Sequence, residues 1–187
     1  RPEDAVLHWE ALRTEADSDA AAAARTALVG LYRGLERWGP FAEVLREDAE
    51  QRLDDTAAAR EALLEAARVL TDPLERLEDA AEVYRQLVDL VPDDDEVLDR
   101  YEELLLRSEA SEELEGLLRH RIDVVTAGEI RAEIRLRLAG VLLASPDRLV
   151  EGVAELQGIL SEQPGHDGAM AQLDALLHRG HAEAPHA

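Results

Sequence analysis

Three observations predict an all-α chain of antiparallel helical hairpins stacked as an α-solenoid. Ala and Leu supply 31 residues each of the 187, and both favour helix, while β-branched and aromatic residues are scarce. Apolar residues recur every three or four positions almost throughout, the spacing of one helix face. The pattern then repeats itself along the chain, with a period that corresponds to pairs of helices.

The elements follow in order. Helices are expected over 3–16, 20–37 and 40–53, the second closed by Trp38-Gly39-Pro40. The next spans 56–71. Asp72-Pro73-Leu74-Glu75 reads as the start of a helix over 74–90, with Asp as N-cap, Pro in the first turn and Glu three residues after the cap. Pro92 ends it. Asp93 with Glu96 caps a helix over 94–107, and helices over 111–126 and 128–144 follow. Ser145-Pro146-Asp147 opens 147–162, Pro164-Gly165 closes it, and the last helix covers 166–178. Such short connections make neighbouring helices antiparallel. The helical domain is expected over 1–180, with a flexible C-terminal tail at 181–187.

The repeat is gap-free over long stretches. An offset of 72 places Leu64 on Leu136, Ala67 on Ala139, Leu70 on Leu142, Leu77 on Leu149, Ala80 on Gly152, Tyr84 on Leu156, Leu87 on Ile159, Val88 on Leu160 and Pro92 on Pro164. An offset of 73 places Ala24 on Val97, Leu28 on Tyr101, Leu31 on Leu104, Tyr32 on Leu105, Phe41 on Leu114, Val44 on Leu117, Leu45 on Leu118 and Ala49 on Ile122. One unit is therefore two hairpins of roughly 36 residues, the signature of an α-solenoid. The segment Ala80-x3-Tyr84-x2-Leu87-Val88-x3-Pro92 resembles the second helix of a tetratricopeptide repeat, and Ala139-Gly140 resembles the small pair of the first helix. The resemblance spans about residues 3–178. It implies a right-handed superhelix whose first helices line a concave groove, and non-catalytic binding of a protein or peptide there.

By that analogy the groove helices (20–37, 56–71, 94–107, 128–144) carry a summed charge of −1, and the outer helices (3–16, 40–53, 74–90, 111–126, 147–162) carry −13. The acidity reads as a solvating coat. The groove side carries Arg25, Arg33, Arg37, Arg68, Arg131, Arg135 and Arg137. Arg131, Arg135 and Arg137 form a local basic spot suited to bidentate capture of an acidic or C-terminal peptide. The alternative is intrahelical pairing, such as Glu133 with Arg137. Tyr32 and Trp38 flank Arg33 and Arg37, which suits a partner hot spot near one end. Core packing is the other reading of those rings.

The formal charge is −22 from 42 acidic and 20 basic residues, all of the latter Arg. That charge repels phosphate, so neither nucleic acid nor anionic lipid is an expected partner. No apolar run reaches the length of a membrane span. Without Cys there are no disulfides, thiol nucleophiles or Cys-based metal sites. His178-x2-His181 could hold a metal only if the last helix continued through it. No nucleophile motif, phosphate loop or zinc-protease motif is present, so neither enzyme activity nor a cofactor is expected. The absence of Lys and Asn argues against the tetratricopeptide domains that clamp chaperone C-termini with those residues. The opening Arg1-Pro2-Glu3 reads as a processed chain or as part of a larger bacterial protein, expected in the cytoplasm. The primary reading is an interaction scaffold. The alternative is a spacer or self-association segment that dimerises by end-to-end stacking.

Overall fold

The turns between helices are the first place where the residues dictate the architecture. The structure, a computed structural model, describes residues 1–14 and 18–183, with backbone alone at 18 and 179–183. Among the described residues there are ten α-helices and no strand: α1 Pro2–Arg13, α2 Ser18–Gly34, α3 Trp38–Gln51, α4 Thr56–Thr71, α5 Leu77–Leu90, α6 Asp95–Arg107, α7 Ser111–Val124, α8 Gly128–Leu143, α9 Leu149–Glu162 and α10 Asp167–Glu183. None of them is long and apolar enough to cross a membrane. The chain divides into two units, Arg1–Ser108 with α1–α6, and α7–α10 from Glu109 onward. The last helix continues to Glu183, so positions 181–183 of the expected tail are helical, and 184–187 lie outside the described residues.

Several helix starts differ from the sequence expectation, and Trp38-Gly39-Pro40, expected to close the second helix, instead forms the first turn of α3. Asp72 closes α4 instead of opening α5. Leu74 and Arg76 donate their backbone N–H groups back to the carbonyls of Val69 and Leu70, at 3.3 and 2.8 Å, with Glu75 between them at φ 51°. That left-handed closure satisfies the α4 carbonyls and moves the start of α5 to Leu77. At α6 the cap is Asp94, one residue beyond Asp93. Its carboxylate accepts the Val97 N–H at 3.0 Å and two bonds from Arg60 at 2.7 and 3.0 Å. Arg60 first, and the Val97 N–H after it, hold the Asp94 carboxyl below its usual range. The Arg60 pairing selects Asp94 over its neighbour, because a cap that also meets a cation gains on both counts. Pro146 opens a short 3-10 turn to Arg148, and α9 begins at Leu149.

The hairpins are antiparallel. In unit 2, Gly152 of α9 lies against Leu143 of α8, Gly158 against Arg135, and Gln163 donates to the Gly128 carbonyl at 3.3 Å. Position rises along one helix as it falls along the other. In unit 1, Arg33 covers the Phe41 ring while Arg25 reaches Asp48, so α2 and α3 run in opposite directions in the same way.

Burial follows the sequence repeat. Leu70 and Leu142, Ala67 and Ala139, Tyr84 and Leu156, and Leu87 and Ile159 are buried as pairs; Val88 and Leu160 are half-buried as a pair. At the other offset Ala24 and Val97, Leu28 and Tyr101, Phe41 and Leu114, Val44 and Leu117, and Leu45 and Leu118 are all buried. The same apolar register thus builds the core of both units. In unit 2 Ala132, Ala139, Leu156, Ile159 and Ala169 form the centre, flanked by Leu136, Leu143, Leu160, Leu173 and Leu176.

Ion pairs repeat as well. Arg13–Glu47, Arg33–Glu65, Arg46–Glu82, Arg60–Asp94 and Arg107–Asp72 in unit 1, with Arg148–Glu115 and Arg119–Glu151 in unit 2, all join residues 32–36 apart. One hairpin is that long, so each pair ties a helix to the equivalent helix of the next hairpin. Arg148 holds both oxygens of Glu115, at 2.5 and 2.9 Å. With Arg119 also bonded to it, the Glu115 carboxyl is held down at about 2.

Candidate functional site

In unit 2 the basic spot of α8 opens onto a cleft. Helices α7, α8 and α9 enclose a cavity of about 320 Å³ lined by Arg119, Ile122, Asp123, Arg131, Arg135, Leu138 and Glu155. The four-residue spacing of Arg131 and Arg135 puts both on one face of α8. Arg137, two residues further, points off that face and does not line the cleft. Arg119 of α7 joins them. No sequence signal points to it, because only tertiary packing brings α7 against α8.

The cleft cations differ in how they are held. Arg135 donates through Nε to Glu155 and through Nη1 to Glu162, both at 2.9 Å. Its guanidinium lies flat against α9 because position 158 is Gly; a Cβ there would stand 2.2 Å from Nη2. Arg119 is fixed by Glu115 at 3.0 Å. Arg131 donates Nη2 to the Val125 carbonyl at 2.7 Å, but its Nε is buried with no acceptor among the described residues. A buried N–H without an acceptor is costly, by about 1–3 kcal/mol. Glu133 faces His166, 3.4 Å from its Nε2.

The other candidate group lies in unit 1. Tyr32 is 2% exposed, and its hydroxyl donates to Glu10. Burial, then the contact with Glu10, pushes that hydroxyl up to about 12. The ring serves as a platform for Arg37, whose guanidinium carbon lies 5.3 Å from the ring centroid. Arg33 stands 5.3 Å over Phe41 and pairs with Glu65. Trp38 packs edge-on against Phe41 at 6.0 Å. The structure therefore offers Arg33 and Arg37 to solvent and keeps Tyr32 inside.

Unit 1 also has a smaller cleft, of about 140 Å³, between α4, α5 and α6. It is lined by Arg68, Thr71, Asp72, Tyr84, Arg100, Glu103, Leu104 and Arg107. Arg100, Glu103, Leu104 and Arg107 share one face of α6. The sequence marked Arg68 as a groove residue but not Arg100 or Arg107, because α6 as a whole is acidic. Helix α10 does continue through His181, whose side chain lies outside the described residues. Among the described residues no group of three His, Asp or Glu side chains is placed to hold a metal ion.

No family model matches the chain, and no curated protein matches it. Solved structures do. The crystal structure of MamA protein aligns over 79% of this chain and 76% of its own, at 14% identity and a TM-score of 0.46. That of YrrB, described as a TPR protein with an unusual peptide-binding site, aligns over 92% of this chain and 84% of its own, at 16% identity and a TM-score of 0.46. TTC0263, a thermophilic TPR protein of Thermus thermophilus, aligns over 95% and 99%, at 19% identity and a TM-score of 0.42.

Proposed function

We propose that the chain is a non-catalytic interaction scaffold that holds a partner protein or peptide against its Arg-lined clefts. One observation carries this reading: the buried Nε of Arg131, without an acceptor among the described residues, beside an open cavity. A partner's carbonyl or carboxylate oxygen entering the cleft would satisfy that donor, and Arg119 and Arg135 flank the position. Arg33 and Arg37 give a second contact point, held out on aromatic rings. Acidic segments suit both places, while the −22 charge of the chain disfavours polyanions.

The test is retention of a partner from the source lysate, identified by peptide mapping and then measured by calorimetry. The variants Arg131→Ala and Arg135→Ala should weaken the measured affinity by about tenfold or more, as loss of a charged hydrogen bond does. Unchanged affinity in the double variant would remove this cleft from the reading. The spacer or self-association reading has its own support, since Leu7 of α1, Val150 of α9 and Leu177 of α10 are 71%, 83% and 63% exposed. Light scattering separates the two: a mass that rises with concentration favours self-association.

A further inference from the structure

We infer that α10 is held by an acid-sensitive latch: the imidazole of His166 caps its first turn, and uptake of a proton by that ring loosens the helix from the rest of unit 2. This goes beyond the interaction-scaffold reading and does not rest on it.

Among the described residues three helices are capped by the side chain that precedes them, and His166 is the cap that is not a carboxylate. Asp55 precedes α4 and accepts the Ala58 N–H at 3.1 Å, and Asp94 precedes α6 and accepts the Val97 N–H at 3.0 Å. His166 precedes α10 and accepts the Ala169 N–H through Nδ1 at 3.3 Å. All three reach the amide three residues on, as N-caps do. The offset of 72 places Asp94 on His166 and Val97 on Ala169. It also places Arg60, the cation that grips Asp94, on Ala132. Both halves of that ion pair therefore differ here: an imidazole stands for the carboxylate and a buried methyl for the guanidinium.

The contacts fix the state of the ring. A backbone N–H can only donate, so Nδ1 presents its lone pair and the ring hydrogen sits on Nε2. Nε2 in turn faces Oε1 of Glu133 on α8, at 3.4 Å, and the side chain is 10% exposed. Backbone bonds hold the residue from both sides. Its N–H donates to the Gln163 carbonyl at 3.1 Å, and its own carbonyl accepts from Met170 at 3.2 Å. His166 thus joins the end of α9, the start of α10 and the side of α8. Ala169 is the one described side chain of α10 that is fully buried, with Leu173 and Leu176 half-buried against the core, so the helix is anchored chiefly at this first turn.

A further proton has to go on Nδ1. It removes the acceptor of the Ala169 N–H, and it puts a positive charge at the helix end whose dipole is already positive. The surrounding carboxylates oppose this weakly. Glu133 is 65% exposed and already faces the Nε2–H of the neutral ring, so protonation adds only a screened attraction. Asp167, next to it in the first turn of α10, is exposed. Glu162, the last carboxylate of α9, is held by Arg135 at 2.9 Å. Docking of α10 therefore favours the uncharged ring. The hold is complete above the range in which imidazole ordinarily titrates, about pH 5–8, and is lost as pH falls through it. The Asp caps of α4 and α6 stay ionised over the same range and keep their helices.

The experiment follows amide hydrogen exchange of the 187-residue chain by NMR, each rate being compared with that of an unstructured chain at the same pH. The amides of Leu173 and Leu176 report on α10, and those of Leu156 and Ile159 on α9. Between about pH 7.5 and 5.5 the protection of α10 should fall by about threefold to tenfold, the size of one lost cap, while α9 keeps its own. His166→Asp supplies the carboxylate of the other two caps, so it should fold and should abolish the fall. Glu133→Gln removes the opposing charge and should deepen it. Constant or rising protection of α10 in the unsubstituted chain, or the same fall in His166→Asp, would overturn the inference. Loss of the response in Glu133→Gln would overturn it too, because the ion pair and not the cap would then carry the pH dependence.

Discussion

Glu36 and Glu75 hold φ angles of 53° and 51°, and Glu109 holds 56°. Each sits in a turn after a helix: Glu36 after α2, Glu75 after α4 and Glu109 after α6. A left-handed residue with a Cβ costs roughly 1–2 kcal/mol, whereas Gly adopts that region freely. Gly in turn loses more chain entropy on folding, by roughly 0.5–1 kcal/mol. The difference predicts that Glu36→Gly and Glu75→Gly each stabilise the chain by about 0.5–1 kcal/mol, read as a higher urea midpoint. Glu36→Ala and Glu75→Ala keep the strain and should change little. A matching gain from the Ala variants would locate the effect in the lost charge instead. Nothing in the sequence marked these turns, since Gly or Asn is the usual sign of a left-handed closure and all three positions are Glu. The same silence explains the misplaced start of α5: Asp72-Pro73 matches an N-cap pattern, and the turn that overrode it depends on Glu75 taking a conformation its residue type disfavours.

At the scale of elements, helix existence was legible because the apolar period is unbroken, and the burial of Tyr84 with Leu156 or Phe41 with Leu114 follows from it. The clefts were legible only along single helices. Arg131 and Arg135 share a face of α8 and could be paired by counting, whereas Arg119 joins them through packing of α7, and Arg100 and Arg107 sit on a helix whose overall charge is acidic. Close helix crossing gives a sharper test. Gly152 of α9 is buried against α8, and a Cβ there would stand 2.6 and 2.7 Å from Cγ and Cδ2 of Leu143 and 3.3 Å from the Ala139 carbonyl. Gly116 of α7 has nothing within 4 Å of the same position. Overpacking a buried crossing costs about 1–3 kcal/mol, and replacing an unobstructed helical Gly with Ala gains roughly 0.5–1 kcal/mol. Gly152→Val should therefore lower stability by about 2 kcal/mol, and Gly116→Ala should raise it. Chemical denaturation followed by helical circular dichroism checks both. A neutral Gly152→Val would mean that Leu143 swings aside and that α8 and α9 are not held at that distance.

For the whole molecule the deciding balance is between paired and unpaired charge. With 42 carboxylates and 20 guanidinium groups, every Arg could be paired one to one and 22 acidic side chains would still lack a basic partner. The ladder of pairs one hairpin apart is mostly at the surface, where each is worth about 0–1 kcal/mol and weakens with salt. Several Arg serve two carboxylates at once, as Arg60 does with Asp94 and Glu96, and Arg148 with Glu115 and Glu151. That sharing concentrates the attraction in a few places and leaves the remaining negative charge spread over both units. Self-repulsion of that excess acts over about a Debye length, roughly 30 Å at 0.01 M salt and 8 Å at 0.15 M. Moving from the first condition to the second therefore screens many repulsions while the short, partly shielded pairs lose little. The thermal midpoint should rise by several degrees as NaCl is raised from about 0.01 to 0.15 M, and then level off. If the midpoint falls instead, the Arg–carboxylate ladder contributes more than the repulsion it offsets. In that case Glu115→Gln, which removes the negative charge shared by Arg148 and Arg119, should abolish most of the salt response of unit 2.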